Sequence, residues 1–159
     1  MKPSKAEEVV QRATELGASR FLFFQASRTS AKSEFRPDRL QKIAVDASRQ
    51  SGRVYVPQVD TILYSSLLSV RQKQEWKGLA VLASPRAPLT LSRHLQEHSE
   101  ALKQGLVVLI GPEGGFTTEE EEQVAPSWAQ IVQVGPNTLR TETASLALLA
   151  VAQSVLGKM

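Results

Sequence analysis

The chain has 159 residues, 42% hydrophobic and 22% charged, with no cysteine and a net charge of +3, the balance of one globular domain with a core of its own. Without cysteine there is no disulfide, thiolate metal site or cysteine nucleophile, and two histidines, His94 and His98, are too few for a histidine-only metal centre. No apolar run approaches the roughly 18 residues of a membrane span, and "MKPSKAEEVV" lacks the apolar centre of a signal peptide, so the expectation is a cytoplasmic protein with no membrane partner.

Ser4 opens S-x-x-E with Glu7, a capping box, and Val9, Val10, Ala13 and Leu16 keep a helical period up to a stop at Gly17. "RFLFF" then reads as a buried strand and "ASRTSAKSEFRP" as polar loop. Pro37 starts a second helix with Leu40, Ile43, Ala44 and Ala47 on one face and Gly52 as its stop. "RVYVP" reads as a short strand ended by Pro57, and residues 61–76 as weakly helical. "GLAVLASP" is the next strand. "TLSRHLQEHSEALKQG" is one amphipathic surface helix carrying His94 and His98, and "LVVLIG" a central strand by its unbroken apolar content. "AQIVQVG" is a further strand, and "TETASLALLAVAQSVLG" a helix apolar nearly all round, whose hidden face suits a subunit contact.

Alternating strands and helices predict an α/β domain over 1–159, mainly a parallel sheet with helices on both faces, in which ligands bind beyond the carboxyl ends of the strands. Three Gly- or Pro-rich loops follow strands there: "ASPRAP", "GPEGGF" and "GPNTLRTETA". Charge is uneven: residues 1–110 hold 17 Lys+Arg against 10 Asp+Glu, and residues 111–159 hold 2 against 6. The basic part suits a polyanion such as RNA, and equally a solvated surface with no partner.

The stretch "LVVLIGPEGGFTTEEEEQV" is the most constrained. Glycine at a strand exit lets a ligand approach main chain. A phosphate would want the next helix's amino end free of negative charge, yet Glu119 to Glu122 stand there behind Thr117 or Thr118 as N-cap. G-P-E-G-G is neither G-x-G-x-x-G nor a P-loop, which disfavours a dinucleotide-dependent oxidoreductase. The expected guest is planar and neutral or cationic.

"IGPEGGFTTEE" followed by "VGPNTLRTETA" resembles the paired motifs of the bacterial 16S ribosomal RNA uridine N3-methyltransferases, members of the SPOUT superfamily of knotted methyltransferases. "QRATELGASRFLFFQASRTS" is similar to that family's helix, strand and arginine loop, and "DASRQSGRVYVPQV" to its glutamine and arginine segment; the likeness runs from about Lys5 to the C-terminus. The resemblance implies a C-terminal trefoil knot, S-adenosylmethionine as methyl donor bent within it, a homodimer through the knot and last helix, and small-subunit 16S ribosomal RNA as partner; no metal is expected, since no third ligand accompanies His94 and His98. Family members usually carry an amino-terminal RNA-binding barrel of PUA or OB type, which this chain is expected to lack, keeping donor binding and losing RNA affinity. The alternatives are a SPOUT enzyme acting on another RNA, such as transfer RNA, and a noncatalytic RNA-binding or assembly module.

Carried onto this sequence, the resemblance makes Arg140 and Arg28 the catalytic candidates. Arg140 would orient the uracil or steady its negative charge, the alternative being a salt bridge to Glu142 or Glu113; Arg28 would reach the target nucleotide. Gln50 and Arg53 are substrate candidates that otherwise cap carbonyls. For the donor, Gly111, Gly114, Gly115 and Gly135 give close backbone approach, Leu82, Ile110, Val134 and Leu139 give apolar walls or core packing, and Thr143 completes the set. Glu113 holds a ribose hydroxyl or pins the turn through backbone donors.

Overall fold

The computed structural model describes residues 4–29, 35–66, 78–125 and 128–159. Helix α1 (Lys5–Glu15) begins in the expected box: Ser4 Oγ accepts from the Glu7 amide at 3.3 Å and Glu7 Oε2 from the Ser4 amide at 3.2 Å. It ends at Gly17, whose φ of 96° only glycine adopts freely and whose missing Cβ leaves room for Gln153. Strand β1 (Arg20–Phe23) follows, then α2 (Pro37–Gln50) with Pro37 in its first turn.

Strand β2 (Gln58–Thr61) corrects the expectation at "RVYVP": the strand starts after Pro57, and Val54 and Tyr55 stand 87% and 80% exposed. The ladder explains it. Arg20, the first residue of β1, pairs with Gln58, so nothing earlier has a partner strand. The Gln41 side chain closes the gap, donating to Pro57 O and accepting from the Val59 amide, each at 2.9 Å. Of the region 61–76, residues 62–66 form the end of β2's exit and a single 3-10 turn, Tyr64–Ser66; 67–76 lie outside the described residues.

Strand β3 (Leu79–Ala83) is central to a parallel sheet ordered β4-β3-β5, so β4 (Leu106–Leu109), expected in the middle, is its edge among the described strands. Strand β5 (Gln130–Val132) flanks the other side. Between β3 and β4 the expected single helix is two, α3 (Leu91–Glu97) and α4 (Ser99–Lys103), broken at His98 where φ is −120° and ψ 34°. It is no plain surface helix either, since Leu91, His94, Leu95 and Leu102 are buried. Helices α5 (Thr118–Val124) and α6 (Thr141–Val155) complete the order.

Alternation along β3 sends its residues to opposite faces. Ala80 and Leu82 join Leu109, Phe116, Val124 and Trp128 beneath α5, while Val81 joins Leu91, Leu95, Val132 and Leu148 beneath α3 and α6. A third cluster of Val10, Leu40, Ala44 and Val59 binds α1 and α2 to β2. Helices thus cover both faces, as the apolar runs implied. Leu82 is 0% exposed in its cluster, so Leu82→Ala is expected to cost about 2–5 kcal/mol, read as a lowered urea midpoint at unchanged slope. A cost under about 1 kcal/mol would show that this face is not the packed centre.

Candidate functional site

All paired strands run parallel, so the loops after β3, β4 and β5 gather at one end of the sheet, where they enclose a cleft of about 510 Å³. Its walls come from Ala83 to Arg86, Ile110 to Phe116, and Val134, Gly135 and Asn137 to Thr141 with Ala144; Arg28 and Glu121 lie at the margin. The size suits a nucleoside-sized guest.

The glycine turn is built by short-range bonds. The Gly115 amide donates to Pro112 O at 2.8 Å, with Gly115 at φ 69°, and Thr141 Oγ1 donates to Gly111 O at 3.1 Å, tying the start of α6 to the exit of β4. Gly111 is glycine because a Cβ would lie 3.1 Å from the Phe116 ring. At Gly114 a Cβ would meet Arg28 Cβ at 3.1 Å, so this glycine makes room for protein and not for a guest. Gly135 differs: a Cβ there meets nothing within 4 Å.

Helix α5 holds its own N-terminus. The Thr117 amide donates to Glu120 Oε2 at 2.9 Å and the Glu120 amide to Thr117 Oγ1 at 3.2 Å. The other oxygen, Oε1, accepts from the Ser27 amide at 2.9 Å and Ser27 Oγ at 3.0 Å, and Tyr64 Oη donates to Glu120 O at 3.3 Å. Burial would push this carboxyl's pKa up, but the bonds from Ser27 and Thr117, with Arg28 nearby, outweigh it and hold it below the ordinary value. Burial, then the Glu120 charge, pushes the Tyr64 hydroxyl up.

Arg28 Nη1 donates to Gly114 O at 2.9 Å and Phe116 O at 3.3 Å. Arg140 sits at the N-cap position of α6, exposed on the cleft. Neither expected ion pair forms: Glu113 pairs with Lys5, and Glu142 Oε2 is buried with no partner among the described residues. Lys5, Arg12, Arg20, Arg39, Arg49, Arg86, Arg93 and Lys103 each have a carboxylate; Arg140 has none among the described residues.

Of the residues singled out in the sequence, the structure brings Arg28, Ile110, Gly111, Glu113, Gly114, Gly115, Val134, Gly135, Leu139 and Arg140 to the cleft. It leaves out Leu82, buried in the core, and Thr143, which is exposed while Thr141 and Ala144 on the inward face line the cleft. Gln50 is exposed at the end of α2, and Arg53 Nη1 caps α1 through Thr14 O at 2.7 Å and Ala18 O at 2.5 Å. Glu113 is exposed and paired with Lys5, a surface contact of small worth. His94 is 7% exposed with its ring 4.5 Å from that of His98, and burial, then the His98 charge, lowers its pKa. Among the described residues no cluster of three His, Asp or Glu could hold a metal. Ser84, Arg86, Phe116, Glu121, Asn137 and Thr141 line the cleft without having been singled out.

The model of a family described as the RNA methyltransferase domain matches residues 1–153. Ribosomal RNA small subunit methyltransferase E of Bacillus subtilis is 34% identical over 155 residues, covering 94% of this chain and 60% of the relative. Its namesake in Mycobacterium bovis is 32% identical over 157 residues, covering 93% and 58%. The chain thus spans about 58–60% of the length of these curated relatives. The crystal structure of the Neisseria gonorrhoeae enzyme of that name, bound to S-adenosyl methionine, superposes with a TM-score of 0.81 at 30% identity, covering 97% of this chain and 62% of the other.

The bond set of Glu120 fixes a pH dependence. Its folded pKa lies below its ordinary 4.5, so its contribution is complete above that value and fades as pH falls through the lower folded one. Glu120→Gln is therefore expected to cost about 1–3 kcal/mol at pH 7 and to lose less stability than the native chain on acidification, measured by urea unfolding across pH 7 to 3. Equal acid slopes in both would contradict this account.

Proposed function

Since the chain belongs to the RNA methyltransferase domain family, we propose that its cleft binds S-adenosylmethionine and that it methylates small-subunit ribosomal RNA, at N3 of a uridine in the 16S molecule. The observation that carries the reading is what lines the cleft: glycine main chain and apolar Ile110, Val134, Leu139 and Ala144, with no lysine among the described residues, with Arg28 and Arg86 already engaged by carbonyls and Glu121, and with a neighbouring helix N-terminus satisfied by Thr117 and Glu120. Such a surface grips a neutral or cationic nucleoside by shape and offers no anion cradle. The solved relative of Neisseria gonorrhoeae carries that compound.

When bound, S-adenosylmethionine supplies an electrophilic methyl group on a sulfonium. Gly135 would lie beside the nucleoside, with Val134 and Leu139 as apolar cover. Transfer to N3 would break the sulfur-methyl bond, release the imide proton to solvent water, and leave S-adenosylhomocysteine and a methylated base. As the proton leaves, negative charge grows on the uracil oxygens, and Arg140, exposed and without a carboxylate among the described residues, is the group able to meet it. Arg28 is spent on carbonyls and is less suited to that task.

The trefoil knot belongs to the same proposal, as does a homodimer through α6. That helix buries Ala144, Ser145, Leu148 and Ala152, leaving Leu146, Ala147, Leu149 and Ala150 half-exposed for a second copy. Among the described residues no helix is long and apolar enough to cross a membrane, and ribosomal RNA would place the protein in the cytoplasm.

Calorimetry with S-adenosylmethionine tests the reading, and absence of heat from folded protein would end it. Gly135→Val, which has open space for its side chain, should fold normally and lose at least about tenfold in donor affinity; unchanged affinity would move the pocket elsewhere. Arg140→Ala should keep donor affinity while methylation of 16S ribosomal RNA falls by about 100-fold or more.

A further inference from the structure

The loop after β1 grips the glycine turn as a preformed unit. The Thr29 amide donates to Ala26 O at 2.9 Å and Thr29 Oγ1 accepts from the Ala26 amide at 2.8 Å, closing residues 26–29 into a compact turn. From it Ser27 reaches Glu120 and Arg28 reaches Gly114 O and Phe116 O.

The consequence lies in the peptide planes, since a planar trans peptide held at both its carbonyl and its amide cannot rotate. In the unit joining Gly114 and Gly115, the carbonyl is held by Arg28 and the amide by Pro112 O. In the unit joining Phe116 and Thr117, the carbonyl is again held by Arg28 and the amide by Glu120 Oε2. The unit between them, Gly115 C=O and Phe116 N–H, has no partner among the described residues. Its orientation is set by two locked neighbours. A planar guanidinium suits the task because one nitrogen can serve two carbonyls two residues apart. Gly114 is shaped to let it pass, for a Cβ would stand 3.1 Å from Arg28 Cβ and 3.3 Å from its Cδ.

We propose that Arg28 is a positioning residue: the 26–29 turn braces residues 112–117, and Arg28 acts on the methyl donor through those peptide planes without touching the RNA base. This rests on the cleft being the S-adenosylmethionine site, and it reverses the substrate-contacting role expected from the sequence.

The test combines Arg28→Ala and Arg28→Lys in the full chain with and without S-adenosylmethionine. In the donor-free protein, Arg28→Ala should lower hydrogen-exchange protection of the Gly115 amide by about tenfold or more while the Leu91 amide, bonded to Gln133 O at 2.8 Å, keeps its protection. With donor, calorimetry should show affinity down about tenfold for alanine and partly restored for lysine, whose ammonium still reaches one carbonyl. With 16S ribosomal RNA as acceptor, KM for the donor should rise by more than kcat falls. Unchanged Gly115 protection, or donor affinity as in the native chain with a fall confined to kcat or to KM for RNA, would overturn the proposal. If the native chain itself takes up no S-adenosylmethionine, the cofactor reading fails, and the exchange measurement still decides whether Arg28 braces the turn.

Discussion

Glu120 keeps a charged carboxylate 5% exposed, and only its donors make that tolerable. Moving a carboxylate out of water costs several kcal/mol unless its lone pairs are met; here the Ser27 amide and hydroxyl meet one oxygen and the Thr117 amide the other. The donors come from different parts of the chain. Ser27 follows β1, Thr117 follows β4, and Tyr64, which follows β2, binds the Glu120 carbonyl. Among the described residues the β1-β2 pair and the β4-β3-β5 sheet share no ladder, so the two halves are joined by such side-chain bonds and by packing. Phe24, which follows β1, stacks against Phe116 at 6.3 Å and meets Tyr64 at 5.8 Å, adding an apolar contact across the same junction. A buried charge with one set of partners also fixes register, because a slip would strand it.

That junction sets the electrostatics of the cleft. The first turn of α5 carries Glu119, Glu120 and Glu121, which complement the helix dipole from within and leave little of it for an external anion. Arg86 at the rim is matched by Glu121 at 3.2 Å, and Arg28 is engaged by carbonyls. Arg140 is thereby set apart as the cation at the margin that is not already committed among the described residues. The glycine turn holds a guest by shape, and one guanidinium remains to answer negative charge that arises during reaction.

What the sequence made legible follows the range of the interaction. The box at Ser4 and the stops at Gly17 and Gly52 involve neighbours within a turn and are found where spacing placed them, while the N-cap left open between Thr117 and Thr118 is Thr117. The pocket loops were legible too, because parallel topology puts every strand exit on one side. Individual roles were not. Gly114 looked like a place for a ligand, and only the fold brings Arg28, 86 residues away, against it. Arg53 looked able to bind substrate, but its partners Thr14 and Ala18 lie 39 and 35 residues earlier. Facing decided two more: alternation put Leu82 in the core, the alternative left open for it, and the helical period turned Thr143 away from the cleft. "RVYVP" has strand composition without a strand opposite it, and composition cannot report a missing neighbour.

The two halves are fastened at both ends. Near the amino ends of the strands, Gln153 of α6 donates to Leu16 O at 3.0 Å and its amide fits against Gly17, where any Cβ would stand 2.6 Å from Nε2. Near the carboxyl ends, Ser27 and Arg28 hold Glu120, Gly114 and Phe116. Helix α6 reaches both ends: its first residue holds Gly111 O within its own half, while its last turns hold the end of α1 in the other. A shift of α1 and α2 against the rest would strain both ends together, and packed interfaces resist such displacement in discrete steps. The N-terminal half is therefore more than a scaffold appended to the cleft: through Arg28 and α6 its packing determines how firmly the glycine turn is held.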